Sequence, residues 1–417
     1  MNGATTSGEL RAHNRVRLLR AVHDCGATRT RSQLTRDLRL ARGTASVLVA
    51  GLAEDELLHE EPAREHARGR PTQVPGPHPY GPVALAVDVR EDAWELAECE
   101  LGGRVTVLEI RPHDGTPEGA LRPLGAALAA HRDRLGHRAV GTGVALAGPV
   151  RHGGLVDIAH LDWHGVDVPA LLAAGDRDEA GPPAEVPVVG NDTAFAAVAE
   201  ARRGRLRDVR VGLHLHVDFD LGGVLMVDGR PVAGAGGAGA EFGHMPLTES
   251  RRLCACGALG CWGADVGANA LLRHAGLAHG GGRGREQAEH VLAYDAAAVE
   301  ATARMLGRGI AALVNAHDPE VVTLSGHGPE LFERAGAALL AAGEPYLMAI
   351  RRERPPRIEG SALGWRGALL GAMESVFDAF LTVEGLELWR KNHPDQAPDT
   401  PDRQSVTHST PDGDRPL

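Results

Sequence analysis

The sequence predicts an α/β protein that carries a small helical head. Three short helical patterns fill the chain between Glu9 and Leu58, and a Pro/Gly-rich stretch then interrupts it. Beyond that break, apolar runs of strand length alternate with Ala- and Leu-rich helical patterns. At 417 residues the chain exceeds one ordinary domain, and 43% hydrophobic residues can fill more than one core. Aromatics make up only 3%, so Ala, Leu and Val must supply most of the packing.

In the head, Glu9–Asp24 sets Leu10, Val16, Leu19 and Val22 near helical spacing, and Gly26 is a stop signal. Ser32–Leu38 places Leu34 and Leu38 four apart, and a third pattern runs from Arg42 to Leu58. The short link Arg39-Leu40-Ala41 gives these helices the spacing of a helix-turn-helix, whose last helix enters the DNA major groove. Val47, Leu48 and Leu52 are expected to face the core, leaving Arg42, Thr44, Ala45 and Ser46 exposed. Slim residues around one Arg allow close approach to base edges and phosphates. A three-helix dimerisation module is the competing reading. Charge favours DNA, because the chain up to Tyr80 holds twelve Arg against nine acidic residues while the whole protein carries -11. A basic loop ending in Ala67-Arg68-Gly69-Arg70-Pro71 follows the third helix, and Val74–Pro82 (VPGPHPYGP) reads as a linker.

In the body, Val83–Val89 and Val105–Ile110 read as strands, Gly119–Leu135 as a helix, and Val140–Pro149 as a buried strand ending in a turn. Pro187–Gly190 is a short strand leading into Asn191-Asp192 and an Ala-rich helix. Asn or Asp at such a position is by itself a helix N-cap. Val209–Val227 carries two strand-like halves. Asp265–Ala278 and Ala288–Leu313 are expected as helices, Val321–Leu324 as a strand and Ser361–Phe380 as a closing helix. From about Asn392 the chain is rich in Pro, Asp, Ser and Thr, which predicts disorder over 392–417. The sequence shows neither a signal peptide nor a long uncharged apolar run, so a soluble cytoplasmic protein is expected.

Three of the five cysteines, Cys254, Cys256 and Cys261, form a C-x-C-x4-C pattern, and nine residues separate His244 from the first. Three thiolates and an imidazole complete a tetrahedral Zn²⁺ shell with no open position, the arrangement of a structural site. The competing reading is a reduced cysteine loop without metal.

Gly234–His244 (GAGGAGAEFGH), followed by Cys254-Ala-Cys256-Gly-Ala-Leu-Gly-Cys261, resembles the signature of the ROK family of sugar kinases and sugar-responsive repressors. The resemblance implies a winged helix-turn-helix head (9–73), a linker (74–82) and a two-lobed actin-like α/β body. Lobe 1 would span 83–190, completed by a helix near 361–385, and lobe 2 would span 191–360. It implies that His244 ligates zinc with the three cysteines, and that Gly148, Asn191, Asp192, Glu241 and His244 face a sugar. Arg68 and Arg70 match the basic wing of the family's repressors, where Arg can enter a narrow minor groove.

Departures from the family pattern matter as much. Its kinases end the first body strand in Asp-x-Gly-Gly-Thr, where this chain has Asp88-Val89-Arg90-Glu91-Asp92. Their second phosphate loop, Gly-Thr-Gly-x-Gly-Gly-Gly, is replaced by Val217-Asp218-Phe219-Asp220-Leu221-Gly222-Gly223. Carboxylates thus stand where phosphate should lie, so no ATP is expected. A further sugar-touching Glu of the family is Gly263 here. The resemblance therefore implies a DNA-binding repressor, at least a homodimer or homotetramer, that binds operator DNA, senses a sugar and has no catalytic residue beyond a vestigial base, Asp192. The alternatives are a sugar kinase using Asp192 as base, or a zinc-braced scaffold without a DNA role.

Overall fold

The structure, a computed structural model, describes residues 7–62, 73–151, 153–175, 186–278 and 284–392. The head comprises helices α1 (Ser7–Asp24), α2 (Arg31–Asp37) and α3 (Arg42–Glu54), then an antiparallel hairpin of β1 (Leu58–Pro62) and β2 (Gln73–Pro77). A capping box holds the first turn of the seven-residue α2: Thr30 Oγ1 accepts from Gln33 N, and Gln33 accepts in return from Thr30 N. Helix α3 stops at Glu54 instead of reaching Leu58, because Glu56 takes a left-handed conformation and buries Leu57 and Leu58 at the start of the hairpin. Residues 74–77, expected as linker, are its return strand.

The buried stripe of α3 is Ala45, Leu48, Val49 and Leu52, an i, i+3, i+4, i+7 set. Ala45, expected outside, is therefore only 2% exposed, whereas Val47, expected inside, is 55% exposed. Two residues along a helix turn a side chain about 200°, so Ala45 and Val47 cannot share a face. Leu10 of α1 is likewise exposed. Arg68 and Arg70 lie outside the described residues.

The body folds one plan twice. In the first sheet β3 (Val83–Val89), β4 (Ala93–Glu100) and β5 (Val105–Pro112) form an antiparallel meander. Helix α4 (Pro117–Leu135) returns the chain to β6 (Ala139–Leu146), parallel to β3. A small sheet of β7 (Val150–Arg151), β8 (Leu155–Ile158) and β9 (Trp163–Asp167) follows, then α5 (Val168–Ala173) and β10 (Val188–Asn191), parallel to β6. Helix α6 (Asp192–Arg203) crosses to the second sheet, where β11 (Val211–Val217), β12 (Leu221–Val227) and β13 (Arg230–Pro231) are again antiparallel. Helices α7 (Ala268–His274), α8 (Arg285–Tyr294) and α9 (Ala296–His317) lead to β14 (Val321–Gly326), parallel to β11. Helix α10 (Gly328–Gly343) and the short α11 (Ala349–Glu353) precede β15 (Arg357–Gly360), parallel to β14. The strand orders β5-β4-β3-β6-β10 and β13-β12-β11-β14-β15 match position for position.

The single helix expected over 288–313 is two, because Asp295 breaks the run and caps α9 by accepting from Ala298 N. Two C-terminal helices, α12 (Gly367–Phe380) and α13 (Val383–Asn392), come back to the first sheet. α12 packs on β3, β6 and α6, so closely that a Cβ on Gly371 would lie 1.9 Å from the Phe195 carbonyl oxygen. α13 carries Trp389, whose Nε1 donates to the Asp55 carbonyl of the head. Among the described residues no helix is long and apolar enough to cross a membrane.

Head and body share one core, in which Leu18, Leu19 and Leu52 pack with Ala84, Met373, Phe377 and Trp389. Inside it lies Glu374 of α12, which accepts from His23 Nε2 of α1 at 3.2 Å, from Arg202 of α6 at 2.7 Å, and from Arg203. Gly102 N donates to His23 Nδ1, which directs the ring proton on Nε2 at the carboxylate. Asp378 extends the cluster by accepting from Arg20 and Arg202. Burial alone would raise the Glu374 pKa, but the His23 hydrogen bond, with the guanidiniums of Arg203 and Arg202, outweighs it and holds the carboxyl at about 2.

Glu374 therefore stabilises the fold fully above its ordinary value of 4.5, and that contribution is lost as pH falls towards about 2. Glu374→Gln should cost about 3 kcal/mol at neutral pH, because two guanidinium groups lose their partner in a buried site. Guanidinium denaturation of both proteins should show the gap narrowing between about pH 4.5 and pH 2; a pH-independent gap would contradict the assignment.

Candidate functional site

Between the two sheets opens a cavity of about 350 Å³, lined by the β6–β7 turn, the start of α6, the β11–β12 turn and the segment Glu241–Cys256. Gly148, Asn191, Asp192, Glu241 and His244 all line it. Asn191 is the N-cap of α6: its Oδ1 accepts from Ala194 N at 2.9 Å, and its Nδ2 donates to the Gly148 carbonyl at 3.1 Å. The cap is therefore real, and it also fixes the turn that shapes the cavity wall. Asp192 is held through Oδ1 by Thr193 N and Thr193 Oγ1, leaving Oδ2 without a hydrogen bond among those described. Burial, then the nearby charges of Glu91 and Asp218, push the Asp192 carboxyl up to about 7 against the pull of Thr193. Glu241 is also raised, by burial and by Asp220, with His244 opposing. His160 enters the same wall 3.4 Å from Glu91. Burial works against its charged form, but Glu91, Asp220 and Asp192 together carry its pKa above the ordinary histidine value.

His244, Cys254, Cys256 and Cys261 converge at the edge of this cavity, with all four ligand atoms within 4.8 Å of one another. Cys254 Sγ lies 3.8 Å from His244 Nδ1, and Cys256 Sγ lies 3.6 Å from Cys261 Sγ. Metal–sulfur bonds of about 2.3 Å at tetrahedral angles require sulfur–sulfur separations of roughly 3.7 Å, so the donor set fits a tetrahedral ion. Burial and the neighbouring thiols push the Cys261 thiol up to about 12, a cost that a divalent cation reverses.

The β3–β4 and β11–β12 turns are equivalent positions of the repeated plan, and they face one another across the cleft. Arg285, the first residue of α8, joins them. Its guanidinium donates to both Asp218 oxygens, at 2.9 and 3.2 Å, and lies 3.6 Å from Asp92 and 3.8 Å from Glu91. It stacks between Phe219 and Trp365, with centroids 5.0 and 5.3 Å away. Burial opposes the Asp218 charge, yet Arg285 holds that carboxyl below its usual range. Nothing in the sequence near Arg285 marks it out. The only hint was the pair of acids in the second turn, which, once buried, require a cation.

On the head, Arg42, Thr44 and Ser46 are exposed in the first turns of α3, as expected, whereas Ala45 is turned inward. Ser46 Oγ donates to the Arg42 carbonyl.

Residues 92–378 match the model of the ROK family. A glucokinase of Aeropyrum pernix is 28% identical over 268 residues, covering 58% of this chain and 81% of that protein. An N-acetyl-D-glucosamine kinase of Pectobacterium atrosepticum is 29% identical over 213 residues, covering 44% and 65%. Among solved structures, a ROK family transcriptional regulator homologous to the E. coli MLC protein superposes with a TM-score of 0.66 at 20% identity, covering 92% of this chain and all of that one. A ROK family glucokinase from Streptomyces griseus, solved with glucose and AMPPNP, gives 0.59 at 23% identity, covering 71% of this chain and 99% of its own. A family model spanning more than half of the residues, over a body built as a duplicated five-stranded plan around a shared cleft, places the chain in the ROK family.

Proposed function

We propose that the protein is a DNA-binding transcriptional repressor whose ROK body binds a sugar and transfers no phosphate. The observation that carries this reading is the head. Three helices and a hairpin expose one slim, Arg-bearing face of α3 and pack the opposite face into a core continuous with the body. The regulator structure aligns over 92% of this chain and the kinase over 71%, which supports a head of regulator type. Arg68 and Arg70 act as the basic wing, and a homodimer or homotetramer presents two heads to operator DNA.

Loss of kinase activity follows from the two turns. Phosphate loops work through glycine amides that approach the anion, whereas these turns present Glu91, Asp92 and Asp218 closed over Arg285. The cleft speaks to the head through α6. That helix starts with Asn191 and Asp192 at the cavity and ends with Arg202 and Arg203 on Glu374, a span of roughly 18 Å. A ligand that prefers one position of α6 changes DNA affinity by its differential binding to the two arrangements.

Kinase activity is the second reading, and the carboxyl of Asp192 near 7, suited to proton abstraction, is the observation in its favour. It needs a nucleotide that the Arg285 cluster excludes. Purified protein given ATP with glucose, N-acetylglucosamine or N-acetylmannosamine should release no ADP above background; turnover abolished by Asp192→Asn would replace the first reading with the second.

For DNA, the protein should retard its own upstream region in a salt-dependent manner. Arg42→Ala should weaken that binding about tenfold and Arg70→Ala by a similar factor, with melting temperature unchanged. The metal is read as structural Zn²⁺ held by His244, Cys254, Cys256 and Cys261. Elemental analysis should find about one zinc per chain, and Cys254→Ser or Cys261→Ser should remove it while opening the loop to proteolysis.

A further inference from the structure

Arg42, Thr44 and Ser46 are exposed, but they do not form the centre of the outward face of α3. At roughly 100° per residue, a core side of Ala45, Leu48, Val49 and Leu52 turns Gly43, Val47, Ala50 and Glu54 away from the body, a stripe at i, i+4, i+7 and i+11. All four are exposed. Arg42 and Thr44 stand roughly 200° apart around the axis and so flank this stripe from its two sides. Ser46 donates its hydroxyl proton back to the Arg42 carbonyl at 3.1 Å. A single exposed valine is ordinary on a protein surface. What sets Val47, 55% exposed, apart is its place in the middle of this stripe.

Gly43 supplies a second observation. It does not have a positive φ, so its backbone does not require glycine. A Cβ built on it meets nothing within 4 Å, so no packed neighbour requires glycine either. Glycine is also a poorer helix former than alanine. Its effect is to leave open space on the outward side of the first turn, next to Val47 along the stripe, where another surface can come close to the helix axis.

The surrounding charges identify that surface. Arg15, Arg20, Arg29 and Arg31 are each paired, with Asp55, Asp378, Asp37 and Glu60. Arg36, Arg39 and Arg42, which lead from the end of α2 into α3, are exposed, and none of them has an ion pair among the described residues. Arg17 joins them by donating to the Leu38 carbonyl at 3.2 Å, while Asp37, the acid among them, is occupied by Arg29 at 2.6 Å. Uncompensated cations therefore stand at the start of the stripe, and Glu54 closes its far end. A polyanion held at the edges of a groove suits this pattern, with the first half of α3 inserted and Glu54 kept clear of phosphate. An apolar protein partner would leave the guanidiniums unpaired.

We propose that α3 reads sequence by an apolar contact, the Val47 side chain packed on the C5-methyl group of a thymine in the major groove. Gly43 lets the helix sit deep enough for that contact, and the arginines around the α2–α3 link hold phosphates. In the major groove of unmodified DNA, thymine is the base that presents a methyl group. An aliphatic side chain at the centre of the face therefore selects thymine, where a guanidinium would select guanine. Arg42, on the flank, adds affinity without choosing a base.

The proposal rests on the DNA-binding reading, and its test separates the two. Full-length protein would select duplexes from a library with a randomised core of about 40 base pairs, room for two half-sites. Each thymine shared by the selected half-sites would then be replaced in turn by deoxyuridine, which lacks only the methyl group. At one of them wild-type affinity should fall about fourfold, the transfer value of one buried methyl. Val47→Ala should bind those two duplexes alike, and Val47→Asn should select a different base at that position and at no other. Arg42→Ala should weaken every duplex by a similar factor and leave the selected bases unchanged. Gly43→Ala should weaken binding to all selected duplexes while its melting temperature holds or rises. Wild-type indifference to the methyl group at every selected thymine, or an unchanged base preference in Val47→Asn, would overturn the methyl contact and leave the DNA-binding reading standing. A Val47→Asn protein that changes its oligomeric mass but not its base preference would overturn it in favour of a protein interface. A library from which nothing is enriched would overturn both readings.

Discussion

One buried carboxylate holds the molecule together. Glu374 of α12 sits where the last turn of α1 and the last turn of α6 meet it, with His23 from the first and Arg202 and Arg203 from the second as its partners. Burying a carboxylate with two guanidiniums and an imidazole is costly, and apolar side chains could fill the volume as well. What they could not do is fix three helices at one angular setting, because apolar packing tolerates sliding while directed hydrogen bonds do not. The shared apolar core joins head to body, and Glu374 decides how they are joined. α6 then runs from the cleft at Asn191 to the head at Arg202 and Arg203, and the proposed coupling would run along it.

The duplicated plan puts one equivalent turn of each copy at the cleft. Each copy offers a tight turn between its first two strands, and the fold brings the two turns face to face. Glycine turns there can hold an anion between two sets of amides. Acidic turns there repel each other and require a cation, and Arg285 supplies it with a bidentate bond on one side, two longer contacts on the other and aromatic faces above and below. In this structure a side chain thus bridges the two turns.

What the sequence made legible was local. The spacing of His244, Cys254, Cys256 and Cys261 names a donor set, and the structure brings those atoms within 4.8 Å of one another. The Asn191-Asp192 step names a helix start, and the cap is there. The strands Val83–Val89 and Val211–Val217 are mostly apolar, as strands buried on both faces are, with only Asp88, His214 and His216 as polar residues. Hidden from the sequence was everything decided by contacts between distant residues. β4 escaped because WELAECE mixes acids with apolar residues, and only the partners on both sides bury it. α13, which was not expected as a separate helix, is tied to the head by Trp389 and Asp55, 334 residues apart. Ala45 was misplaced because the third helix was phased on Val47, and only the core could show that Val49 takes that role. The glycine at 263 read as a missing ligand contact, and only the structure shows the carboxylate of Asp220, from the β11–β12 turn, standing in that volume.

The cysteine loop ties these strands of the argument together. Trp262 N donates to the Met245 carbonyl, so the loop between them is closed at its base, and Trp262 Nε1 anchors that base to α9 through the Met305 carbonyl. Within the loop, Leu253 and Leu259 form a lone bridge and both are exposed, so the segment has almost no apolar core of its own. A stretch so poor in burial cannot hold a fixed shape by the hydrophobic effect. A tetrahedral ion can hold it, and the two flanks it would fix are Glu241–His244 on one side and Cys261–Gly263 on the other. Those flanks carry, respectively, one acid of the cleft and the gap into which Asp220 fits. A metal held there and a ligand in the cleft would act on the same wall: the ion would set the distance between the two flanks, and with it where the carboxylates of Glu241 and Asp220 stand relative to each other.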